Sequence, residues 1–331
     1  MNSEKSKPLN ILWLGFGDLA TRCQPLLIND AHKLVGVARS RKNSPAEVVE
    51  KVDQSAGAQV ETQVDAERDA NIDAKSDAKV DAGIDAKIDA KTCVRMIRGA
   101  IQDDDVAEKI DQFQTDIAII SLSPSGRTEN DYREAYLDNV EALLNLWAQA
   151  KNPPKQVIYI SSTRVYAQNE GQWINERSEV LAESGPAKIL RQAELALESS
   201  AIPSLCLRFS GIYGRESSYL VDQVKAGIAG NTAYTNRIHI DDCVGIIHFL
   251  VSTFSAGGAL PEYLLASDCE PVTAKFLREY IAGQLGLDSA ALIVSGRGEG
   301  AKVGKAKRCD NTLLRALGYV FKYPSYQDGY R

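Results

Sequence analysis

Short apolar runs alternate along the chain with longer segments whose apolar positions recur every three to four residues. The run Ile11 to Leu14, inside "NILWLGFGDLATRC" (10–23), has no polar face, as expected of a strand covered on both sides. Similar runs follow at 33–38 (KLVGVA), 93–99 (CVRMIRG), 115–125 (TDIAIISLSPS), 156–162 (QVIYISS) and 204–214 (SLCLRFSGIYG). Between the fourth and fifth, residues 131–150 put Tyr136, Val140, Leu143, Leu144 and Trp147 near one face of a long amphipathic helix. Strands alternating with helices predict an α/β fold, a Rossmann-type doubly wound parallel sheet. In such a sheet ligands bind at the carboxyl ends of the strands. Those ends carry residues 15–20, Arg39, 121–123, 161–163 and 210–214.

The first of these ends has its own chemistry. Gly15-Phe16-Gly17-Asp18-Leu19-Ala20 is a G-x-G-x-x-A turn between a strand and a helix. Gly15 allows the tight turn, Gly17 lets backbone approach a pyrophosphate, and Ala20 keeps helix and strand close. The helix start, with Asp18 and Leu19, then faces the phosphates. The small polar end of the 115–125 strand, with Leu122 and Ser123, is expected to face a nicotinamide ring. A tight structural turn is the plain alternative, but the strand before, the helix after and the second strand at 33–38 favour dinucleotide binding. That second strand runs into Arg39-Ser40-Arg41-Lys42, where an NAD site would carry Asp or Glu for the ribose 2′-hydroxyl. Guanidinium groups suit a 2′-phosphate by charge and two-point geometry, so NADP is expected in preference to NAD. A solvated basic loop is the alternative.

Residues 64–91 break the pattern with a tetrapeptide repeat, VDAE RDAN IDAK SDAK VDAG IDAK IDAK. As a helix it would stack like charges four residues apart, and Gly83 would weaken it further. It lacks the glycine and twelve-residue ligand pattern of a calcium loop. The segment from about 60 to 92 therefore reads as a low-complexity insertion outside the core.

Of the 331 residues, 44% are hydrophobic, enough for a sizeable core, and the net charge is −6 with no basic block. This argues against a nucleic-acid partner. The N-terminus does not read as a signal peptide. No apolar run approaches the roughly 18 residues of a membrane helix, so no membrane association is expected. Six scattered cysteines without a C-x-x-C pair, and three histidines, suggest reduced thiols in a cytoplasmic protein and no metal site.

Taken together, the chain resembles the extended and atypical short-chain dehydrogenase/reductases, in particular NAD-dependent epimerase/dehydratase (nucleoside-diphosphate-sugar epimerase-like) proteins. The segments carrying the resemblance are ILWLGFGDLATR, VGVARS, ISSTRVYA, LRFSGIYGRES, TNRIHIDDCVGII and KRCDNTLLRALGYVFKYPSYQDGYR, nearly end to end. The resemblance implies that Ser162, four before Tyr166, helps hold the reacting oxygen, and that Asn139 matches the family's helix asparagine. Its catalytic Tyr-x-x-x-Lys is missing. With Glu194 as the glutamate that follows the lysine by four, Leu190 stands at the lysine position and Pro186 at the tyrosine position. The tyrosine is the family's acid/base and the lysine lowers its pKa. Residues 167–212 contain no tyrosine at all. Tyr166 is then the candidate hydroxyl, and Lys188 or Arg191 the candidate ribose contact. The family's adenine-side Gly-Asp is altered to Gly99-Ala100.

The resemblance also implies a dinucleotide-binding domain over 1–210 and a mainly substrate-binding lobe over 211–331, from which a strand and helix at about 237–254 return to the core. Substrate contacts are expected from residues 212–217, 235–242 and the region after Pro261. Arg237 is a candidate for a phosphate or carboxylate. His239 joins it as a substrate candidate, with a helix-capping role as the plain alternative. Thr163 and Tyr213, at two strand ends, complete the set, and Arg208 and Arg215 favour an anionic ligand unless they are ordinary surface arginines. The Gly- and Lys-rich 296–308 lacks Walker spacing and reads as a loop. The expected function is an NADP(H)-binding oxidoreductase or epimerase acting on a small-molecule substrate: a nucleotide sugar or another small anionic carbonyl or hydroxyl compound. The alternatives are a non-catalytic NADP(H) sensor or regulatory protein, and a fold remnant serving as an interaction surface. Family members are often homodimers through helix pairs beside the sheet.

Overall fold

The computed structural model describes residues 7–38, 47–51, 93–182, 185–215, 218–293 and 306–330. The repeat insertion, residues 296–305 of the expected 296–308 loop and the basic stretch Arg39, Ser40, Arg41 and Lys42 lie outside the described residues, while Ala306, Lys307 and Arg308 belong to a strand rather than to that loop.

In chain order the strands are β1 (Asn10–Leu14), β2 (Lys33–Ala38), β3 (Glu47–Lys51), β4 (Cys93–Arg98), β5 (Ile117–Ile120), β6 (Gln156–Ser162), β7 (Glu170–Ile174), β8 (Ser204–Phe209), β9 (Gly211–Tyr213), β10 (Tyr234–Thr235), β11 (Arg237–His239), β12 (Tyr263–Ala266), β13 (Val272–Thr273) and β14 (Ala306–Cys309). Among the described residues, eight of them form one sheet in the order β12-β8-β6-β5-β1-β2-β4-β3. Seven run parallel, and β3 is an antiparallel edge on β4. The fold is a doubly wound α/β sheet of the Rossmann type.

Alternation along β1 builds both faces. Ile11 and Trp13 enter one core with Leu19, Cys23 and Leu27 of α1 (Asp18–Asn29) and with Ile240, Ile247 and Val251 of α7 (Ile240–Ser255). Leu12 and Leu14 enter the other. There they meet α2 (Asp104–Gln112), α4 (Asn139–Gln149) and α5 (Gly185–Glu198), through residues such as Val106, Leu143, Trp147 and Leu197. Both sheet faces are thus covered, which is why the central strands read as continuous apolar runs.

The long helix expected over 131–150 begins at α3 (Glu129–Tyr132) and continues through a π-helical stretch, Arg133–Asp138, into α4. Thr128 caps it with a reciprocal bond to Asp131. The Asn139 amide donates to the carbonyls of Glu134, at 2.6 Å, and Ala135, at 3.4 Å, supporting the widened turn from its side chain.

A smaller cluster forms around α6 (Tyr219–Lys225) and α8 (Ala274–Gln284), with Val224, Leu277, Ile281, Tyr213, Tyr326 and Tyr330. The short ribbons β9–β11, β10–β13 and β7–β14 join it to the sheet region. Residues 237–255 form β11 and α7, and α7 packs into the core beside α1. Strand β12 also comes from beyond residue 210 and forms the far edge of the sheet. Among the described residues no helix is long and apolar enough to cross a membrane.

Candidate functional site

β1 and β5 lie side by side at the centre of the sheet, where the strand order reverses, and a crevice opens beyond their carboxyl ends. The Gly15 N–H donates to the Val37 carbonyl, and Gly15 sits at φ +83°. A Cβ there would stand 2.6 Å from the Ser121 carbonyl oxygen, so only glycine fits this approach. Trp13 Nε1 donates to Ser121 Oγ at 2.7 Å, and that hydroxyl donates to the Gly15 carbonyl at 3.0 Å. The turn is therefore tied to the end of β5.

Two cavities meet over this turn and share Gly15, Gly17, Ser121, Leu122 and Ser123. One, of about 530 Å³, extends past Val37, Ala38, Gly99, Ala100 and Gln102 towards Asn139. The other, of about 350 Å³, extends past Asp18 and Leu19 to Tyr136, Ser162, Leu190, Ser210 and Arg215. A Cβ on Gly17 would meet nothing within 4 Å, so the backbone is open to whatever occupies the crevice.

This shape fits a dinucleotide. Two nucleoside-sized spaces flank a helix start, and the first N–H groups of α1 have no partner within the helix. Asp18, in that first turn, pairs with Arg22 at 2.8 Å and with Arg215 at 3.0 Å, which offsets its charge beside the phosphate position. Ala20, in the first turn of α1, is fully buried. Ser210 Oγ is buried at the second cavity with no hydrogen-bond partner, a polar group open to a ligand amide or hydroxyl.

Of the residues assigned to catalysis, only Ser162 reaches the second cavity, with its Oγ accepting the Arg164 N–H at 3.2 Å. Asn139 lines the first cavity, beside Gln102, and its amide holds helix backbone. Tyr166 is buried and accepts from Arg208 Nη1 at 2.6 Å, so its hydroxyl serves a buried arginine away from both cavities. Burial pushes its phenol up, against the pull of Arg208. Leu190, which the sequence expectation set at the family's lysine, lines the second cavity and brings no charge to it. Lys188 is exposed, and Arg191 turns away to Glu194, Glu198 and Tyr263.

The substrate candidates are dispersed. Thr163 is buried beside Cys309. Tyr213 stacks on Tyr330 at 4.5 Å and donates to the Ser325 carbonyl. His239 accepts the Asp241 N–H on Nδ1 at 3.2 Å, capping α7, and its ring lies 3.7 Å from that of Tyr323; burial lowers its pKa. Arg237 is half-buried beside Asp268 and Tyr330 in the smaller lobe. None of these four lines either cavity. Arg208 is neither surface nor anion site: it is buried and fully engaged by Glu194 and Tyr166. Arg215 alone of the three arginines lines the cleft.

Sequence reasoning missed two polar residues of the second cavity, Ser210 and Tyr136. Ser210 stands at the strand end 210–214, where only the strand end itself is legible. Tyr136 counted as one position in an apolar helix stripe; the signal for it is its place three residues before Asn139 on the helix preceding β6.

A family model described as "NAD dependent epimerase/dehydratase family" matches residues 21–266. A search of the curated proteins finds no significant match. Among solved structures, a putative NAD-dependent epimerase/dehydratase from Methylobacillus flagellatus is 24% identical. It aligns over 97% of this chain and 96% of its own, with a TM-score of 0.68. A human epimerase family protein, solved with NADPH, is 13% identical over 97% and 98%, TM-score 0.64. The Bordetella bronchiseptica enzyme WbmG, solved with NAD and UDP, is 13% identical over 99% and 94%, TM-score 0.66.

Proposed function

The chain belongs to the NAD dependent epimerase/dehydratase family, and from that premise we propose that it binds NADP(H) across its two cavities and acts as an oxidoreductase on a small anionic carbonyl or hydroxyl compound, a nucleotide sugar being one such class. The observation that carries this reading is the pair of cavities meeting at Gly15 and Gly17 over the start of α1. Neighbours solved with NADPH or with NAD and UDP support the choice of ligand class. The preference for the 2′-phosphate rests on Arg39, Ser40 and Arg41, in sequence the residues that follow β2.

Gly15 and Gly17 give the pyrophosphate close backbone approach, and Asp18, Leu19 and Ala20 supply the helix-start N–H groups. Leu122 and Ser123 border both halves of the cleft. When bound, the nicotinamide supplies or accepts a hydride at its C4. Ser162 holds the reacting oxygen of the substrate by hydrogen bonding, and Ser210 satisfies its own hydroxyl on the ligand. Arg215 keeps Asp18 from repelling the phosphates. Arg237 is offered as the smaller lobe's anion contact, reached once substrate bridges the lobes.

Leu190 in the cavity, where the family carries lysine, favours a second reading: a non-catalytic NADP(H)-binding regulatory protein. Thermal melting against NADPH, NADP⁺, NADH and NAD⁺ tests what both readings share. A ligand at 100 times its dissociation constant adds about 2.7 kcal/mol. A shift with NADP(H) alone supports both; no shift with any of the four removes both.

A further inference from the structure

The second cavity lacks the family's phenol and ammonium, yet it is not without a phenol. Tyr136 lines it together with Ser162 and Leu190. Its hydroxyl has no hydrogen-bond partner among the described residues, and of the nearby described tyrosines Tyr136 alone lines either cavity. Tyr166 is held by Arg208, and Tyr213 is bonded to Ser325. Tyr159 is fully buried in the core beneath α4 and α5, its unpartnered hydroxyl lining neither cavity.

Tyr136 reaches this position through an irregular backbone. It falls within the π-helical stretch Arg133–Asp138, and π-turns occur disproportionately at functional sites because the extra residue re-aims a side chain. Tyr136 packs part of its ring against the core that holds Val140, Leu143 and Trp147, and its remaining surface lines the cavity. Asn139 supports the wide turn through its bond to the Glu134 carbonyl, which makes it a positioning residue for Tyr136.

We propose that Tyr136 is the proton donor of this site, in the role left vacant by Pro186, acting beside Ser162 on the oxygen of a carbonyl substrate. This rests on the dinucleotide reading above. The carbonyl carbon gains a hydride from the reduced nicotinamide, and the C=O π pair moves onto the oxygen. That oxygen takes the Tyr136 O–H proton, the O–H bonding pair stays on the phenolate, and water entering the cavity re-protonates it. Burial and the neighbouring Tyr132 hold the phenol above its ordinary pKa, with Arg164 opposing them. The group therefore carries its proton at neutral pH, which suits reduction of a carbonyl and not abstraction of a proton from an alcohol.

The test places 3-fluorotyrosine at position 136 of the full chain and follows its fluorine resonance against pH in saturating NADPH and in saturating NADP⁺, with thermal melting alongside. If the hydroxyl faces the reacting ring, the positive charge of the oxidised nicotinamide raises the phenol's ionisation constant about tenfold or more over that in NADPH. Tyr136→Phe should keep the full melting shift with both dinucleotides. Equal titration in the two redox states, with both dinucleotides stabilising the protein, overturns the role of Tyr136 and leaves dinucleotide binding standing. No melting shift with either overturns dinucleotide binding and, with it, this proposal.

Discussion

The Arg208 guanidinium grips Glu194 at two points, Nε to Oε1 at 2.9 Å and Nη2 to Oε2 at 2.7 Å, and both residues are buried. Ser161 donates to the same carboxylate at 2.6 Å and Arg191 at 3.1 Å. The rings of Tyr166 and Tyr263 lie 4.9 and 4.3 Å from the guanidinium carbon. One carboxylate thus joins α5, β6 and β8 beneath the second cavity. Glu194 is four residues past Leu190, one turn along α5, so the network fixes the stretch of α5 that borders the second cavity.

Glu194→Ala should cost about 3–5 kcal/mol, because it strands a buried guanidinium without its counter-charge. The double variant Glu194→Leu/Arg208→Met should recover most of the loss, since a packed apolar pair removes both desolvation penalties. Urea unfolding of the three proteins checks this. A loss below about 1 kcal/mol for Glu194→Ala would mean that water reaches the pair.

Gly17→Val should cost no more than about 1 kcal/mol, the worth of the N-cap preference for Gly over Val at the start of α1. Its Cβ position is open, and its φ of −113° accepts a branched side chain. Dinucleotide affinity should fall by at least about tenfold, because the new methyls occupy the pyrophosphate's approach. Fluorescence titration with NADPH reads the second effect and melting reads the first. Unchanged affinity would move the ligand off the glycine turn.

The parts of this molecule that were legible in sequence are those whose signal is local. β1, β2 and β6 announce themselves because both sheet faces are covered, and Gly15 because no Cβ fits against Ser121. β12 was not recognised: its YLLA is four residues long and sits in what reads as the smaller lobe. The antiparallel β3 likewise follows a stretch that offers no apolar run. Tyr136 was hidden for a different reason. Periodicity assigns it to the core stripe, where part of its ring does pack; its further exposure to the cavity lies in a π-turn backed by a side-chain bond from Asn139, which no hydrophobic pattern records. The sequence hides the engagement of Arg208 and Tyr166 because Glu194 reaches Arg208, which in turn bonds Tyr166, only when α5 packs on the sheet.

Arg39→Asp should weaken NADPH by about 1.5–3 kcal/mol, the worth of a charge-assisted contact to the 2′-phosphate. It should spare or improve NADH, whose ribose hydroxyl an aspartate can accept. Calorimetric titration with both nucleotides decides the matter. Equal loss for the two would show that Arg39 acts on something common to them and remove the argument for NADP.

Asp268 is buried to within 1% of its surface, with Oδ2 unpartnered, Oδ1 accepting the Glu270 N–H at 3.3 Å, and Arg237 nearby. Burial pushes its carboxyl up to about 8, against the Glu270 bond and the Arg237 charge. In the unfolded chain an aspartate ionises near pH 3.9. Between those two values the folded protein keeps a proton that the unfolded chain has released, so this group's contribution is most favourable below pH 4 and declines as pH rises to 8. The slope is at most about 1.4 kcal/mol per pH unit. Asp268→Asn keeps the acceptor for Glu270 and cannot ionise. Its stability relative to the wild type should therefore increase steadily from pH 5 to pH 8 and level off above. Urea unfolding of both proteins at unit steps of pH from 5 to 9 measures the gap. Parallel curves would mean that Arg237 already holds Asp268 as a charged partner in the folded state. The smaller lobe would then present a neutralised arginine, and Arg237 would lose its standing as an anion contact.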